Sequence, residues 1–203
     1  MPQAAEPRLI LASGSATRAG LLRGAGVAFE VVVVAVDEDG VKRSAQAEGA
    51  GAEETAVLLA EMKAARVSRR HPGALVIGAD QILVCGAEWF DKPGDLAEAR
   101  GQLLRLRGRG HRLATAVVCM IGGVRVWHDV ASPVLTMRDF SEGFLDSYLR
   151  AEGSAVLATV GAYRLEGMGV QLFDRVEGEF AAVLGLPLLA VLGFLRQRGV
   201  LPG

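Results

Sequence analysis

The apolar pattern of this chain changes period from block to block. Leu9-Ile10-Leu11 is a continuous apolar run that suits a short strand covered on both faces. A small-residue turn follows, and Ser15 is placed to cap a helix. Phe29 to Val34 is rich in β-branched residues and predicts a second strand. Residues 41–52 are small and polar and read as a connection. Glu53 to Arg70 reads as a long helix with acidic residues at its start and basic ones at its end, as the helix dipole favours. Its expected apolar stripe is Val57, Ala60, Ala64 and Val67, widened by Leu58, Met62 and Ala65, with Lys63 on the edge. Ala74 to Cys85 predicts a buried strand, turned by Gly86-Ala87. Asp95-Leu96-Ala97-Glu98 has the form of a capping box for a helix through Leu106. Two strands, Leu113 to Ile121 and Val124 to Met137, are joined by Gly122-Gly123 as in a hairpin. Ser141 caps a further helix to about Arg150, and Pro187 stands near the start of the last one. Strands interleaved with helices predict an α/β fold. With no repeat, low-complexity segment or linker, residues 1–203 read as one domain.

Composition narrows the classes. Apolar residues make up 51% of the 203 and aromatics only 5%, so the core is expected from Ala, Val and Leu. A formal net charge of -1 gives no global electrostatic case for nucleic acid. The basic run Arg105-Arg107-Arg109-His111-Arg112 has no aromatic interleaving and reads as a solvated helix end. Cys85 and Cys119 lie apart in apolar runs and are expected as buried free thiols. Residues 1–8 lack the form of a signal peptide and no apolar run is long enough for a membrane span, so the expected setting is cytoplasmic.

Candidate chemistry gathers at the ends of the predicted strands. Ser13, Gly14 and Ser15 lie between a strand and a helix N-terminus, where unpaired N–H groups and the helix dipole favour an anion. Arg18, one turn on, adds a forked cation suited to phosphate oxygens. The stretch reads either as a phosphate cradle or as an ordinary strand-to-helix junction with an exposed Arg. Asp37-Glu38-Asp39-Gly40 reads either as a solvated turn or as a site for a hard cation such as Mg²⁺ or Mn²⁺. Asp80 ends a buried apolar run, where a carboxylate is costly unless paired or bound to metal; it is the strongest single candidate. Lys63 reads as a snorkelling surface residue or as an ammonium aimed into a cleft. Lys92 has a backbone partly fixed by Pro93.

These residues, taken in order, resemble the Maf-like nucleotide pyrophosphatases. The resemblance rests on Leu9-Ile10-Leu11-Ala12-Ser13, Val36-Asp37-Glu38, Leu59-Ala60 with Lys63-Ala64, Ile77-Gly78-Ala79-Asp80 and Lys92-Pro93. It continues through Ala99-Arg100, Leu103, Leu106, Gly108, Thr115, Gly161-Ala162-Tyr163, Arg175-Val176-Glu177-Gly178 and Leu184-Gly185-Leu186-Pro187. It implies an α/β fold like that of the inosine-triphosphate pyrophosphatases: an elongated mixed sheet with flanking helices and two lobes around a central cleft. It also implies hydrolysis of a nucleoside triphosphate to the monophosphate and pyrophosphate with a divalent metal cation, Mg²⁺ or Mn²⁺. Asp80-Gln81 and Glu166-Gly167 resemble the branch acting on 7-methyl-GTP, where the branch acting on dTTP and UTP has Asp-Thr and Gln-Gly. The chain departs from the family pattern in its first loop, where Ala16, Thr17 and Ala19 replace a Pro, an aromatic or Arg, and an Arg. It departs again at Asp91, which replaces a Gly.

The resemblance gives the residues roles. Ser13, Gly14, Ser15 and Arg18 cradle phosphate, Glu38 is a metal ligand, and Lys63 and Lys92 contact phosphates. Asp80 is either the base or a second metal ligand. Thr17, Gln81 and Glu166 match specificity positions, Glu166 being suited to accept hydrogen bonds from a guanine edge. The expected partner is a nucleoside triphosphate, with no nucleic acid and no membrane, and a homodimer is left open. Two rival readings are a nucleotide-binding regulator of cell division and septum formation, and a nucleotidyltransferase. The latter should carry a Pro-Lys pair shortly after the loop, which residues 19–30 lack.

Overall fold

Three apolar residues that need cover on both sides form the first strand of the computed structural model, which describes residues 3–203. This strand, β1 (Leu9–Leu11), lies parallel to both its neighbours, β2 (Glu30–Val31) and β3 (Leu75–Cys85). Between them the chain forms α1 (Ala16–Gly24), α2 (Glu38–Ala47) and α3 (Ala52–Ser68). After β3 come β4 (Glu88–Phe90), α4 (Leu96–Leu106), β5 (Gly110–Ile121), β6 (Val124–Ala131), β7 (Val134–Met137) and α5 (Glu142–Glu152). Three short 3₁₀ segments lead to β8 (Phe173–Glu177), α6 (Phe180–Val183) and α7 (Leu188–Gln197). The eight strands make one mixed sheet in the order β2-β1-β3-β5-β7-β8, with β4 paired to β3 and β6 to β5.

The chain divides into two compact units. The first holds the chain up to Gln81 with Thr115–Ala131 and Glu179–Gly203; the second holds Ile82–Ala114 and Ser132–Gly178. In the first unit, Leu75, Ile77 and Ala79 share a core with Leu9, Leu11, Val117 and Cys119, with Leu22 of α1, and with Val191, Phe194 and Leu195 of α7. Trp127 stacks on Phe194 at 4.7 Å between centroids. The alternate residues of β3 face α3. An added Cβ at Gly78 would lie 2.9 Å from the Ala64 Cβ and closer still to the Ala60 carbonyl oxygen. No side chain fits there, so helix and strand meet almost backbone to backbone.

In the second unit, His111, Tyr163 and Phe173 form a ring cluster, with His111 Nε2 3.0 Å from the Tyr163 hydroxyl. Burial pushes the His111 imidazole down to about 4, so His111 is a neutral core residue rather than part of a basic face. Cys85 and Cys119 are buried free thiols, as expected. No helix among the described residues is long and apolar enough to cross a membrane.

Several expectations are corrected. The second strand keeps only Glu30–Val31, and residues 32–37 have no regular structure. Residues 41–52 are not a simple connection, because most of them belong to α2. The expected single strand from Val124 to Met137 is two, β6 and β7. Pro133 lies at the break, where it cannot donate to a ladder. β8 was not foreseen; its side chains are mostly exposed, so they carry no apolar alternation.

Candidate active site

The N-terminus of α1 is built as its sequence suggests. Ser15 caps the helix, its hydroxyl accepting from the Arg18 N–H at 3.3 Å. The Ser13 hydroxyl accepts from the Ser15 N–H. Arg18 turns back from the helix. Its Nη1 donates to Ser13 Oγ at 3.2 Å and to the Ala79 carbonyl at 3.0 Å, and its Nε to the Gly185 carbonyl at 2.7 Å. Burial pushes the Arg18 pKa down, opposed by the carboxylates of Asp80 and Glu38. Arg18 is therefore a partly buried strut that ties the first loop to β3, with Nη2 outside these three bonds. Thr17 is half-buried on α1, and Gly14 is exposed.

The charged centre of the first unit is Lys63. The buried face of α3 runs Ala52, Thr55, Ala56, Leu59, Ala60, Lys63, Ala64 and Val67. Lys63 thus lies in the middle of the face rather than on its edge, while Leu58 is 47% exposed. Its ammonium lies 2.5 Å from Asp80 Oδ1 and 2.6 Å from Glu38 Oε1. The Lys63 and Asp80 side chains are only 11% and 5% exposed, against 41% for Glu38. Lys63 is thus neither a snorkelling surface residue nor a dispensable one. The Asp80 Oδ2 is buried without a hydrogen-bond partner.

Glu38 reaches this cluster from the first turn of α2. Asp37 caps that helix, its carboxylate accepting from the Gly40 N–H at 3.0 Å. Arg66 of α3 donates to the carbonyl of Ala35, which pins the irregular segment just before it. Glu38 and Asp80 offer hard oxygen donors. No group of three His, Cys, Asp or Glu side chains among the described residues is arranged to hold a metal ion.

Gln81 is anchored. Its side-chain nitrogen donates to Thr115 Oγ1 at 2.8 Å and to the carbonyls of Ala182 and Val183 at 3.0 and 3.2 Å. Thr115, fully buried in β5, itself donates to the Ala182 carbonyl.

The remaining two candidates belong to the second unit. Lys92 is exposed just after β4. The carbonyl of its neighbour Asp91 accepts from the buried Gln102 of α4 at 3.1 Å. Glu166 Oε1 accepts from Arg164 Nε at 3.3 Å, and the same guanidinium donates to Glu152 Oε2 at 2.8 Å.

Sequence reading missed Thr115, Gln102, Arg66 and Glu152 as supports. Two of them carried a signal: Thr115 is a lone hydroxyl in an apolar run, and Gln102 lies on α4's apolar face with Ala99, Leu103 and Leu106.

An open mixed sheet whose charged side chains cluster along a central strand defines an α/β protein of the kind that collects ligands beside its sheet. The family follows from comparison: the model of the Maf-like proteins matches residues 8–198, and the chain belongs to the Maf family. It is 57% identical to the nucleoside triphosphate pyrophosphatase of Granulibacter bethesdensis, over 96% of this chain and 98% of the relative. It is 58% identical to the protein of that name from Paramagnetospirillum magneticum, over 95% and 99%. With the 7-methyl-GTP pyrophosphatase of Mesorhizobium japonicum it shares 44% identity, over 97% and 98%.

Proposed function

We propose that this protein hydrolyses a nucleoside triphosphate to the monophosphate and pyrophosphate, using the Asp80–Lys63–Glu38 cluster. The observation that carries the reading is the buried Asp80 carboxylate, with one oxygen held by Lys63 and the other unpartnered. A buried carboxylate oxygen without a donor is costly, and a site that receives a proton or a cation is a reason to keep one. Relatives at 57% and 58% identity that bear the pyrophosphatase name support the same reading.

Release of pyrophosphate requires water to attack the α-phosphorus while negative charge grows on the bridging oxygen. Asp80 Oδ2 takes the proton from that water, and the Lys63 ammonium, 2.5 Å from Oδ1, holds the carboxylate in place for it. Lys63 attracts the phosphate chain. Ser13, Gly14 and Ser15 offer it the N-terminal end of α1. Glu38, together with Asp80 where that carboxylate is not itself the base, would hold a divalent cation. Two carboxylates fit an ion that completes its shell with waters and substrate phosphates, as Mg²⁺ does, rather than one needing a closed protein cage. When bound, the cation supplies positive charge against that developing on the phosphates.

For the base, we propose a guanine-type nucleotide, 7-methylated or not, read by Glu166. The pairing with Arg164 uses one of its oxygens, which leaves the other to accept from a purine N1–H or N2 amine. Purified protein with Mg²⁺ or Mn²⁺ should release pyrophosphate and monophosphate in equal amounts; orthophosphate with a nucleoside diphosphate would refute the reaction. In kcat/KM the order should be 7-methyl-GTP and GTP above UTP and dTTP. Glu166→Gln should compress that order by about 10-fold, the worth of one charge-assisted hydrogen bond. An unchanged order removes Glu166 from base reading.

A further inference from the structure

The place between the two carboxylates of the cluster is taken. The Lys63 ammonium lies 2.5 Å from Asp80 Oδ1 and 2.6 Å from Glu38 Oε1. An ion touching either oxygen, at about 2.1 Å for Mg²⁺, would lie within about 5 Å of that nitrogen. It would meet a like charge whose side chain is 11% exposed, where water screens little. The charges of the cluster also balance already. Arg18, tied to Ser13 and the Ala79 carbonyl, feels the charge of both carboxylates. Arg18 and Lys63 thus face Asp80 and Glu38, two cations against two anions. A bare divalent ion would leave that set with an excess of positive charge, whereas an ion chelated by a triphosphate brings its own negative charge. The chelate also brings oxygens that the chain lacks, since no group of three His, Cys, Asp or Glu side chains among the described residues is arranged to hold an ion.

We infer that Lys63 keeps the cation's place in the free protein, so that the divalent ion is taken up as its complex with the triphosphate and not ahead of it. This inference rests on the proposed hydrolysis and deepens it, because it names the substrate as the metal–nucleotide chelate. Phosphate oxygens of the incoming chain give the ammonium a new anionic partner, and the carboxylate oxygens it leaves become available to the ion. Without substrate, the same ammonium keeps the two carboxylates from repelling each other.

Mn²⁺ alone is the first probe, its binding read without nucleotide from the loss of the free-ion electron paramagnetic resonance signal. Lys63→Met should bind Mn²⁺ at least about 10-fold more tightly than wild type, and Lys63→Arg, which keeps the charge, should stay as weak as wild type. Adding Glu38→Gln to Lys63→Met should abolish the gain. Mn²⁺ should raise the melting temperature of Lys63→Met and leave that of wild type within about 1 °C. By calorimetry, wild type should bind the Mn²⁺ complex of a GTP analogue with a methylene bridge between the α and β phosphorus at least about 10-fold more tightly than Mn²⁺ alone. Equal Mn²⁺ affinity in wild type and Lys63→Met overturns the inference. So does an equal gain in Lys63→Arg, a gain that survives Glu38→Gln, or a wild type that binds Mn²⁺ as tightly alone as with the analogue. If Lys63→Met folds only when Mn²⁺ is added, the ion has replaced the ammonium and the inference stands; if it folds in neither condition, Lys63→Gln takes its place. If wild type releases pyrophosphate from no nucleotide, the proposed hydrolysis fails, and the Mn²⁺ comparison still decides whether Lys63 excludes the ion.

Discussion

Two clusters in this protein have the same formula, one cation between two carboxylates. In the first unit Lys63 bridges Asp80 and Glu38; in the second Arg164 bridges Glu152 and Glu166. They differ in what is left over. Glu152, only 8% exposed, has both oxygens engaged, Oε2 by Arg164 and Oε1 by the Met168 N–H at 2.9 Å. Gly167 also packs against that carboxylate, where an added Cβ would lie 2.5 Å from Oε1 and make it shift. Asp80, equally buried, keeps Oδ2 unpartnered. A saturated cluster holds a loop in shape, whereas an unsaturated one retains capacity for something the chain does not itself supply. Counting ion pairs would not separate the two; counting satisfied oxygens does.

Three substitutions test that contrast. Asp80→Asn should lower kcat by about 10²-fold or more, since it removes the proton acceptor, with the melting temperature within about 2 °C because the Lys63 ammonium keeps Glu38 as its partner. A large loss of stability with activity intact would make the Asp80 cluster structural. Lys63→Met should act on both properties. Loss of the cation that orients Asp80 should cost kcat about 10-fold or more, and two carboxylates left facing each other should cost stability by about 2 kcal/mol, the figure for a broken buried pair reduced for the exposure of Glu38. A variant as stable as wild type would show that Lys63 is not the counter-ion it resembles. Glu152→Ala should be the mirror image of Asp80→Asn. It should lose about 2 kcal/mol through the orphaned Met168 N–H and the lost Glu152–Arg164 pair, or roughly 4–8 °C for a chain of this size, with kcat changed by less than about threefold. Thermal melts beside saturating turnover read both arms, and equal losses of activity in Glu152→Ala and Asp80→Asn would erase the distinction.

Legibility in the sequence followed the range of the interaction. Helix caps are local, and Ser15, Asp95 and Ser141 are all caps as their spacing suggests. α2 escaped because its buried positions are Lys42 and Ala45 and its first turn contains Gly40, so no apolar stripe marks it. The misjudged face of α3 has a related cause. The stripe through Ala56, Leu59, Ala60 and Ala64 passes straight through Lys63, and a charge at a core position reads as the edge of a stripe unless a partner is known. Asp80 was legible because a carboxylate ending a buried run is anomalous by itself. Its pairing with Lys63, 17 residues earlier, was not, since only the packing of α3 on β3 brings the two together. The supports Gln102 and Thr115 depend on backbone carbonyls, which no side-chain pattern announces.

Gly78 has a consequence for anyone who would make this protein sturdier. Replacing glycine by alanine in ordered segments is a routine way to stiffen an unfolded chain and raise stability. Here the backbone is ordinary strand and would tolerate the exchange, yet the methyl group would strike the Ala60 carbonyl and the Ala64 side chain. The helix would have to lift from the sheet and carry Lys63 with it. A single hydrogen atom in place of a methyl thus sets the clearance at which an ammonium reaches Asp80. Engineering the first unit for heat resistance should leave that clearance alone and work on the solvent side of α3, where Leu58 is 47% exposed.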